Sequence, residues 1–95
     1  MTQLENEMNT VRFDFISDLG HGYVKVPLVM IQELGITNKI SEYSFKDNEF
    51  GYLEEDCDFW LFIGELLLQQ VNIRVEYNYI DAGEFAPCRQ LPRFT

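Results

Sequence analysis

The sequence predicts a single α+β domain, with an antiparallel sheet of about five strands and two helices packed on one face. Its 95 residues are enough for one hydrophobic core and too few for two. Several short segments alternate apolar and polar residues, as half-buried strands do, while one longer apolar segment has the period of a helix. The predicted element order is ββαββαβ, and its hairpins favour antiparallel pairing.

The first two strands form a predicted hairpin. Val11, Phe13 and Phe15 alternate with polar residues, and residues 23–26 form the second strand. The segment between the two strands is rich in Ser, Asp and Gly, which are typical of turns. Residues 1–9 are polar and lack periodicity, so we expect a flexible leader followed by a domain over 10–95.

A short helix is predicted after this hairpin. Pro27 is suited to a first helical turn, where its missing N–H has no partner to lose. Gly35 is suited to the left-handed position that ends a helix. Ile36 is then expected to fold back onto Ile31, which is the hydrophobic contact of a Schellman ending.

A second hairpin and a second helix follow. Residues 40–46 and 49–53 flank Asp47-Asn48, which tolerate positive φ and predict a tight turn. The helix is predicted over 56–70, because it begins at an acidic run and anions are stabilised near the positive end of a helix dipole. Its apolar stripe packs on the sheet and comprises residues 59, 62, 63, 66 and 67.

The last strand and a C-terminal tail complete the predicted domain. Residues 71–80 alternate most regularly of all segments and predict a strand. Residues 85–94 contain two prolines and predict an extended segment along the surface.

Composition excludes several function classes. Sixteen acidic and seven basic residues give a net charge of −9, which argues against direct nucleic-acid binding. No apolar run approaches the roughly 20 residues that cross a membrane. The first residues lack the basic and apolar regions of a signal peptide, so we expect a cytoplasmic protein. Cys57 and Cys88 are then expected to be reduced, and their spacing matches no zinc pattern.

The acidic cluster Glu54, Glu55, Asp56 and Asp58 is the main candidate site. It is open to three interpretations: a helix cap with solvated charge, a surface for a basic partner, or oxygen ligands for magnesium or calcium. Neighbouring residues on one chain rarely converge on one ion, and the twelve-residue calcium-loop pattern is absent, so no metal or other cofactor is expected.

Large apolar residues directly follow this cluster. Trp60, Leu61 and Leu68 lie beside or beyond the apolar stripe of the second helix. Apolar side chains next to acids often mark an interface, so we include Trp60 and Leu61 in the predicted partner-binding site. The alternative is that the C-terminal tail covers this side.

Candidate catalytic residues are few. His21 is the single histidine and lies between two glycines, with Asp18 as the nearest carboxylate in the sequence. Cys57 lies at a helix N-terminus, which lowers a thiol pKa, but the flanking carboxylates oppose this. The tyrosine-rich sheet could stack bases, although too few cations accompany it. We therefore predict no catalytic set.

Five segments carry a family resemblance. They are residues 17–27 (SDLGHGYVKVP), 34–36 (LGI), 39–41 (KIS), 52–58 (YLEEDCD) and 91–94 (LPRF). Together they resemble a family of small uncharacterised proteins found in bacteria and on their phages and plasmids. The resemblance implies a protein of mobile genetic elements, and it implies no activity, cofactor or site residue.

These observations predict a non-enzymatic module whose acidic surface docks on a basic protein surface. One form is a mobile-element-encoded inhibitor of a host nucleic-acid-targeting defence complex, of the restriction or CRISPR type. Its carboxylates would occupy cationic sites normally used by phosphates, since arginine binds both anions in bidentate fashion. The alternatives are a small enzyme using His21 with a carboxylate, and a homodimer that buries Trp60, Leu61 and Leu68 between copies.

Overall fold

The computed structural model describes residues 9–69 and 72–94 and confirms the α+β class. In chain order its elements are β1 (Asn9–Ser17), β2 (Gly22–Pro27), α1 (Leu28–Glu33), β3 (Phe45–Lys46), β4 (Phe50–Glu54), α2 (Asp58–Gln69) and β5 (Ile73–Asp81), with 3-10 turns at Thr37–Lys39 and Pro87–Gln90. Of the predicted leader, residues 1–8 lie outside the described residues and Asn9 begins β1. Gln70 and Val71, at the predicted helix and strand ends, also lie outside them.

The five strands form one mixed sheet in the order β3-β4-β2-β1-β5. The first three pairings in this order are antiparallel, and β5 pairs with β1 in parallel. The predicted antiparallel sheet therefore needs a correction at β5. Helix α2 carries the chain from the end of β4 back along the sheet. Because β4 runs in the same direction as β1, the next strand enters parallel to β1.

Both helices pack on one face of the sheet, as predicted. The buried residues there come from three strands, the two helices and the segment around the 3-10 turn at Thr37–Lys39: Phe13, Val24, Val26, Ile31, Ile36, Ile40, Leu53, Phe59, Phe62, Ile63 and Leu66. The Phe62 ring of α2 meets the Phe13 ring of β1 edge to face, with centroids 5.6 Å apart. The apolar stripe of the second helix thus predicts its buried face, except at Leu67, which is exposed.

Helix α1 ends in the predicted Schellman motif. Gly35 has φ +76°, and its N–H donates to the carbonyl of Gln32. The N–H of Ile36 donates to the carbonyl of Ile31, and both isoleucines are buried in the core. One glycine followed by one isoleucine therefore fixes where the chain leaves this helix.

The second hairpin forms at Asp47-Asn48 by a different mechanism from the one predicted. Neither residue has positive φ; the Asp47 carboxylate instead accepts hydrogen bonds from the N–H groups of Glu49 and Phe50. The strand before it is also shorter than predicted and covers only Phe45–Lys46. Residues 40–44 form a loop, because the N–H of Ser41 donates to Asp58 rather than to a neighbouring strand.

The C-terminal tail crosses the sheet face opposite the helices. Ala86 and Cys88 are buried there against Tyr23 and Phe45. Residues 92–94 then run along the outer side of β3, where the carbonyl of Pro92 accepts from Lys46 and the N–H of Phe94 donates to Ser44. The predicted surface segment is thus partly buried and contains a 3-10 turn, and it closes one edge of the sheet.

Candidate functional site

One end of the sheet gathers acidic residues from distant parts of the chain. The N–H of Glu55 donates to Gly22, Gly22 pairs with Ser17, and Ser17 pairs with Asp81. These four residues form a row across β4, β2, β1 and β5 that spans three strand spacings, roughly 14 Å. Because β1, β4 and β5 run in the same direction, the residues that follow all three strands meet here.

Four carboxylates with exposed or half-exposed side chains define what we call the acidic end: Glu55, Asp56, Asp81 and Glu84. The first two belong to the predicted cluster. Asp81 and Glu84 are missing from the prediction because only the parallel placement of β5 brings them beside it. The sequence does contain a signal that could have indicated this site: an acidic residue lies at or directly after the end of each strand that runs in this direction.

Two predicted site residues are buried and do not belong to the acidic end. Asp58 is 3% exposed and accepts hydrogen bonds from the N–H of Ser41 at 3.0 Å, its hydroxyl at 2.6 Å and the hydroxyl of Ser44 at 2.5 Å. Glu54 is 7% exposed, and its Oε1 accepts from the N–H of Asp56. Asp58 therefore fixes local structure instead of facing a partner, whereas Glu54 keeps its Oε2 toward the His21 imidazole. The predicted surface of four adjacent carboxylates therefore retains only Glu55 and Asp56.

Asp18 organises the loop between β1 and β2. Its buried carboxylate accepts hydrogen bonds from the N–H groups of Gly20, His21 and Ala86 and from Nη2 of Arg89 at 2.7 Å. Burial alone would raise the pKa of Asp18, but these hydrogen bonds hold it well below the ordinary value. Asp18 thus ties the C-terminal tail to the β1–β2 loop.

The imidazole of His21 faces a different carboxylate from the one the sequence suggests. Asp18 bonds only the backbone of His21, whereas Glu54 Oε2 lies 3.7 Å from His21 Nδ1. Both side chains line a cleft of about 550 Å³ beside the acidic end, together with Tyr23, Tyr43, Phe45, Asp56, Cys57, Phe85, Arg89 and Arg93. A histidine beside a carboxylate can transfer protons to a bound substrate.

The cysteine in this cleft is not an activated nucleophile. Cys57 is a free thiol whose Sγ lies 3.7 Å from the Ser41 hydroxyl. Partial desolvation and the carboxylates of Asp58 and Glu54 raise its pKa, although the contact with Ser41 opposes them. Burial likewise raises the pKa of Cys88, the other free thiol, to about 11. The cleft therefore pairs a histidine with a carboxylate and lacks a thiolate.

Most basic side chains are already engaged within the chain. Arg12 pairs with Glu76 and Arg89 with Asp18. Arg93 donates to the carbonyl of Glu42 and lies over the Phe45 ring. Lys25 and Lys46 lie over the rings of Phe50 and Phe94. Within residues 9–69 and 72–94, no carboxylate of the acidic end forms an ion pair, although Arg89 and Arg93 line the same cleft as Asp56.

The apolar residues predicted for the site differ in how far they are exposed on α2. Trp60 is 66% exposed and Leu68 is 79% exposed, whereas Leu61 is half-buried and packs against the core. The described tail lies mostly on the opposite face of the sheet, and its Phe94 packs against the helix-side core near Gly51, so Trp60 and Leu68 remain exposed. Leu67, 51% exposed, joins Trp60 on the same side of α2, although the periodicity of the sequence places it in the core.

Across the two described ranges, no group of three or more His, Cys, Asp or Glu side chains is arranged to hold a metal ion. None of the helices described is long and apolar enough to cross a membrane. No family model matches this chain, and no similar curated protein or solved structure is found.

Proposed function

We propose that this chain is a non-enzymatic binding module that docks its acidic end on a basic surface of another protein. The supporting observation is the row across the sheet, which places Glu55 and Asp81 at one end with Asp56 and Glu84 beside them. The backbone that carries Glu55 and Asp81 is held by the sheet before binding, which reduces the entropy cost of association.

The charge balance supports a basic partner in particular. None of the three ion pairs in the described residues involves a carboxylate of the acidic end, so no cation of the chain is directly bound to it. A negative surface of this kind attracts a positive surface over a Debye length and accelerates encounter. It repels phosphate groups, which disfavours direct binding to nucleic acid.

An apolar anchor lies next to this charge. Trp60 is on the first turn of α2, which begins at the acidic end, and its ring is largely exposed. Interfaces commonly combine a central aromatic residue with a charged rim. A partner seated on the acidic end can therefore bury Trp60 as well.

A more specific form of this proposal concerns nucleic-acid-targeting complexes. Their basic grooves bind rows of phosphates, and arginine donates paired hydrogen bonds to carboxylate and to phosphate in the same bidentate geometry. The row of carboxylates across the sheet end would then compete with nucleic acid for such a groove. The sequence resemblance to proteins of phages and plasmids favours a host defence complex as the target.

The test compares two double variants that each remove two exposed acids. Asp56→Asn with Glu84→Gln removes two of the four charges of the acidic end, while Glu33→Gln with Glu49→Gln removes the same charge at the opposite end of the sheet. Binding of a labelled oligoarginine peptide is measured by fluorescence anisotropy at low and at physiological salt. Each exposed charge pair contributes about 0.2–1 kcal/mol, so we expect about three- to tenfold weaker binding for the first variant and little change for the second.

Two results would reject the proposal. Equal losses in both variants would assign the binding to net charge rather than to the acidic end. Binding that does not weaken with salt would show that charge pairing is not its basis. The same two variants, used as baits in a lysate pull-down, then show whether a retained protein depends on the acidic end.

A further inference from the structure

Strand β5 is a long edge strand. It has nine residues, and within the described ranges no strand pairs with its outer side. The N–H of Ala82 donates to Ser17 and the N–H of Asn9 donates to Asn72, so the even-numbered residues of this segment turn their backbone groups toward β1. The N–H and C=O groups of Ile73, Val75, Tyr77 and Tyr79 therefore point outward, along the free edge.

One side of helix α2 lies next to the free edge of β5. Asp58 bonds the 41–44 loop, and Gln69 donates to the carbonyl of Leu34, so one side of the helix faces the loop and the end of α1. Trp60, Gly64 and Leu67 follow the helical spacing of the opposite side. The Phe59 ring lies 5.9 Å from the Tyr77 ring, which places the start of α2 over β5.

Together these features form one surface. We call the outer side of β5 with Trp60, Gly64 and Leu67 the β5 surface. Trp60 and Leu67 are exposed, and a Cβ on Gly64 would meet no atom within 4 Å. Protein edges are usually blunted by short strands, prolines, lysines or bulges. Residues 73–81 contain neither proline nor lysine, and their charged side chains, Arg74, Glu76 and Asp81, include both signs, so this edge remains able to pair with another strand.

We propose that a second copy of this chain pairs with the β5 surface. The two β5 strands would lie antiparallel about a twofold axis perpendicular to the sheet, which continues the sheet through both copies. Such an axis keeps both α2 helices on the same face. Trp60 and Leu67 of one copy then approach the same residues of the other.

The chemistry of the β5 surface favours a second copy over the basic partner of the acidic end. Its helical part carries no charge, so it offers nothing specific to a basic surface. Its strand part is self-complementary: with Val75 on the axis, Arg74 of each copy lies opposite Glu76 of the other. Glu76 uses only Oε1 to bind Arg12, which leaves its second oxygen for this contact.

Charge gives the dimer a distinctive dependence on salt. Each copy carries a net charge of −9, so the two copies repel each other at long range. Added salt screens this repulsion and strengthens the dimer, whereas it weakens binding through the acidic end. The two proposals share Trp60, and the opposite direction of the salt effect tells them apart.

The test measures the mass of the full chain by light scattering and by sedimentation at increasing concentration and at two salt levels. Leu67→Ser changes the β5 surface, and Leu68→Ser is its control, since Leu68 is exposed on the same helix but outside that surface. We expect a dimer that salt strengthens, that weakens about tenfold in the Leu67 variant, and that persists in the Leu68 variant.

Charge reversal at Arg74 and Glu76 tests the register in which the two β5 strands pair. Arg74→Glu places like charges opposite each other and is expected to weaken the dimer, and adding Glu76→Arg restores opposite charges across the axis and is expected to recover it. A monomer at every concentration and salt level would overturn the proposal, as would equal effects of the Leu67 and Leu68 variants. A monomer that binds another protein through the β5 surface would also overturn it, because the occupant would then not be a second copy.

Discussion

The two edges of the sheet differ in whether another segment of the chain covers them. At one edge, β3 has two residues and is covered by residues 92–94 of the tail. At the other edge, β5 has nine residues and an outer side with no partner in the described ranges. The closed edge is shielded from pairing with another strand, whereas the outer backbone groups of β5 have no strand partner in the described ranges.

Buried carboxylates maintain the closed edge. Asp18 holds the tail through Ala86 and Arg89, and Asp58 holds the 41–44 loop that precedes β3. These acids contribute to the net charge but not to the surface that a partner meets. A count of acidic residues therefore overestimates the acidic surface, because some carboxylates hold the fold and only the exposed ones can meet a partner.

The largest loss of stability is expected for Asp18→Ala. This variant removes the acceptor of four hydrogen bonds and leaves the partly buried Arg89 without its counter-charge. Breaking a buried ion pair from one side costs about 3–5 kcal/mol. Urea unfolding measures the loss, and Glu84→Ala, which changes an exposed acid in the tail, is the control and should stay within about 0.5 kcal/mol. Similar midpoints for the two variants would contradict the role of Asp18.

The same carboxylate predicts how stability depends on pH. The pKa of Asp18 is lowered on folding, so its contribution is complete above the ordinary value of 3.8 and is lost as the pH falls further below it. Asp18→Asn cannot ionise and should therefore lose less stability than the unchanged protein as the pH falls below about 4. Urea midpoints at several acidic pH values measure this difference. If the urea midpoints of the two proteins fall equally with pH, the Asp18 carboxylate does not form the hydrogen bonds described here.

A somewhat smaller loss is expected for Asp58→Ala, at the other attachment of the closed edge. The variant leaves the hydroxyl of Ser44 buried without its acceptor and frees the 41–44 loop from α2. Unsatisfied buried groups cost about 1–3 kcal/mol each, and we expect about 2–4 kcal/mol in total. Hydrogen exchange should show faster exchange at Ser41, whose N–H donates to Asp58. Unchanged exchange there would contradict this prediction.

The contrast between the edges also explains what could be predicted from the sequence. Local patterns predict the strands, the Schellman ending at Gly35 and the buried face of α2, because each depends on spacing within a few residues. The parallel placement of β5 depends on where the α2 crossover ends, so Asp81 could not be assigned to the acidic end. The burial of Asp58 depends on Ser41 and Ser44, which only the folded hairpin brings to it.

The smallest effect is expected at Gly64, and it tests the open edge. Gly64 lies in the middle of α2, and a Cβ there would meet no atom within 4 Å of its own chain. Alanine has the higher helix propensity, so Gly64→Ala should stabilise the isolated chain by about 0.5–1 kcal/mol.

The same methyl group would stand between Trp60 and Leu67, on the β5 surface. If two α2 helices approach each other there, Gly64→Ala should raise the unfolding midpoint of the monomer and yet weaken the dimer. Small residues at such positions permit close helix contact, so the proposed dimer would offset the cost of a glycine within this helix. Thermal unfolding at low concentration and sedimentation at high concentration measure the two effects on one sample. A variant that gains stability and dimerises as before would show that the helices do not meet at Gly64.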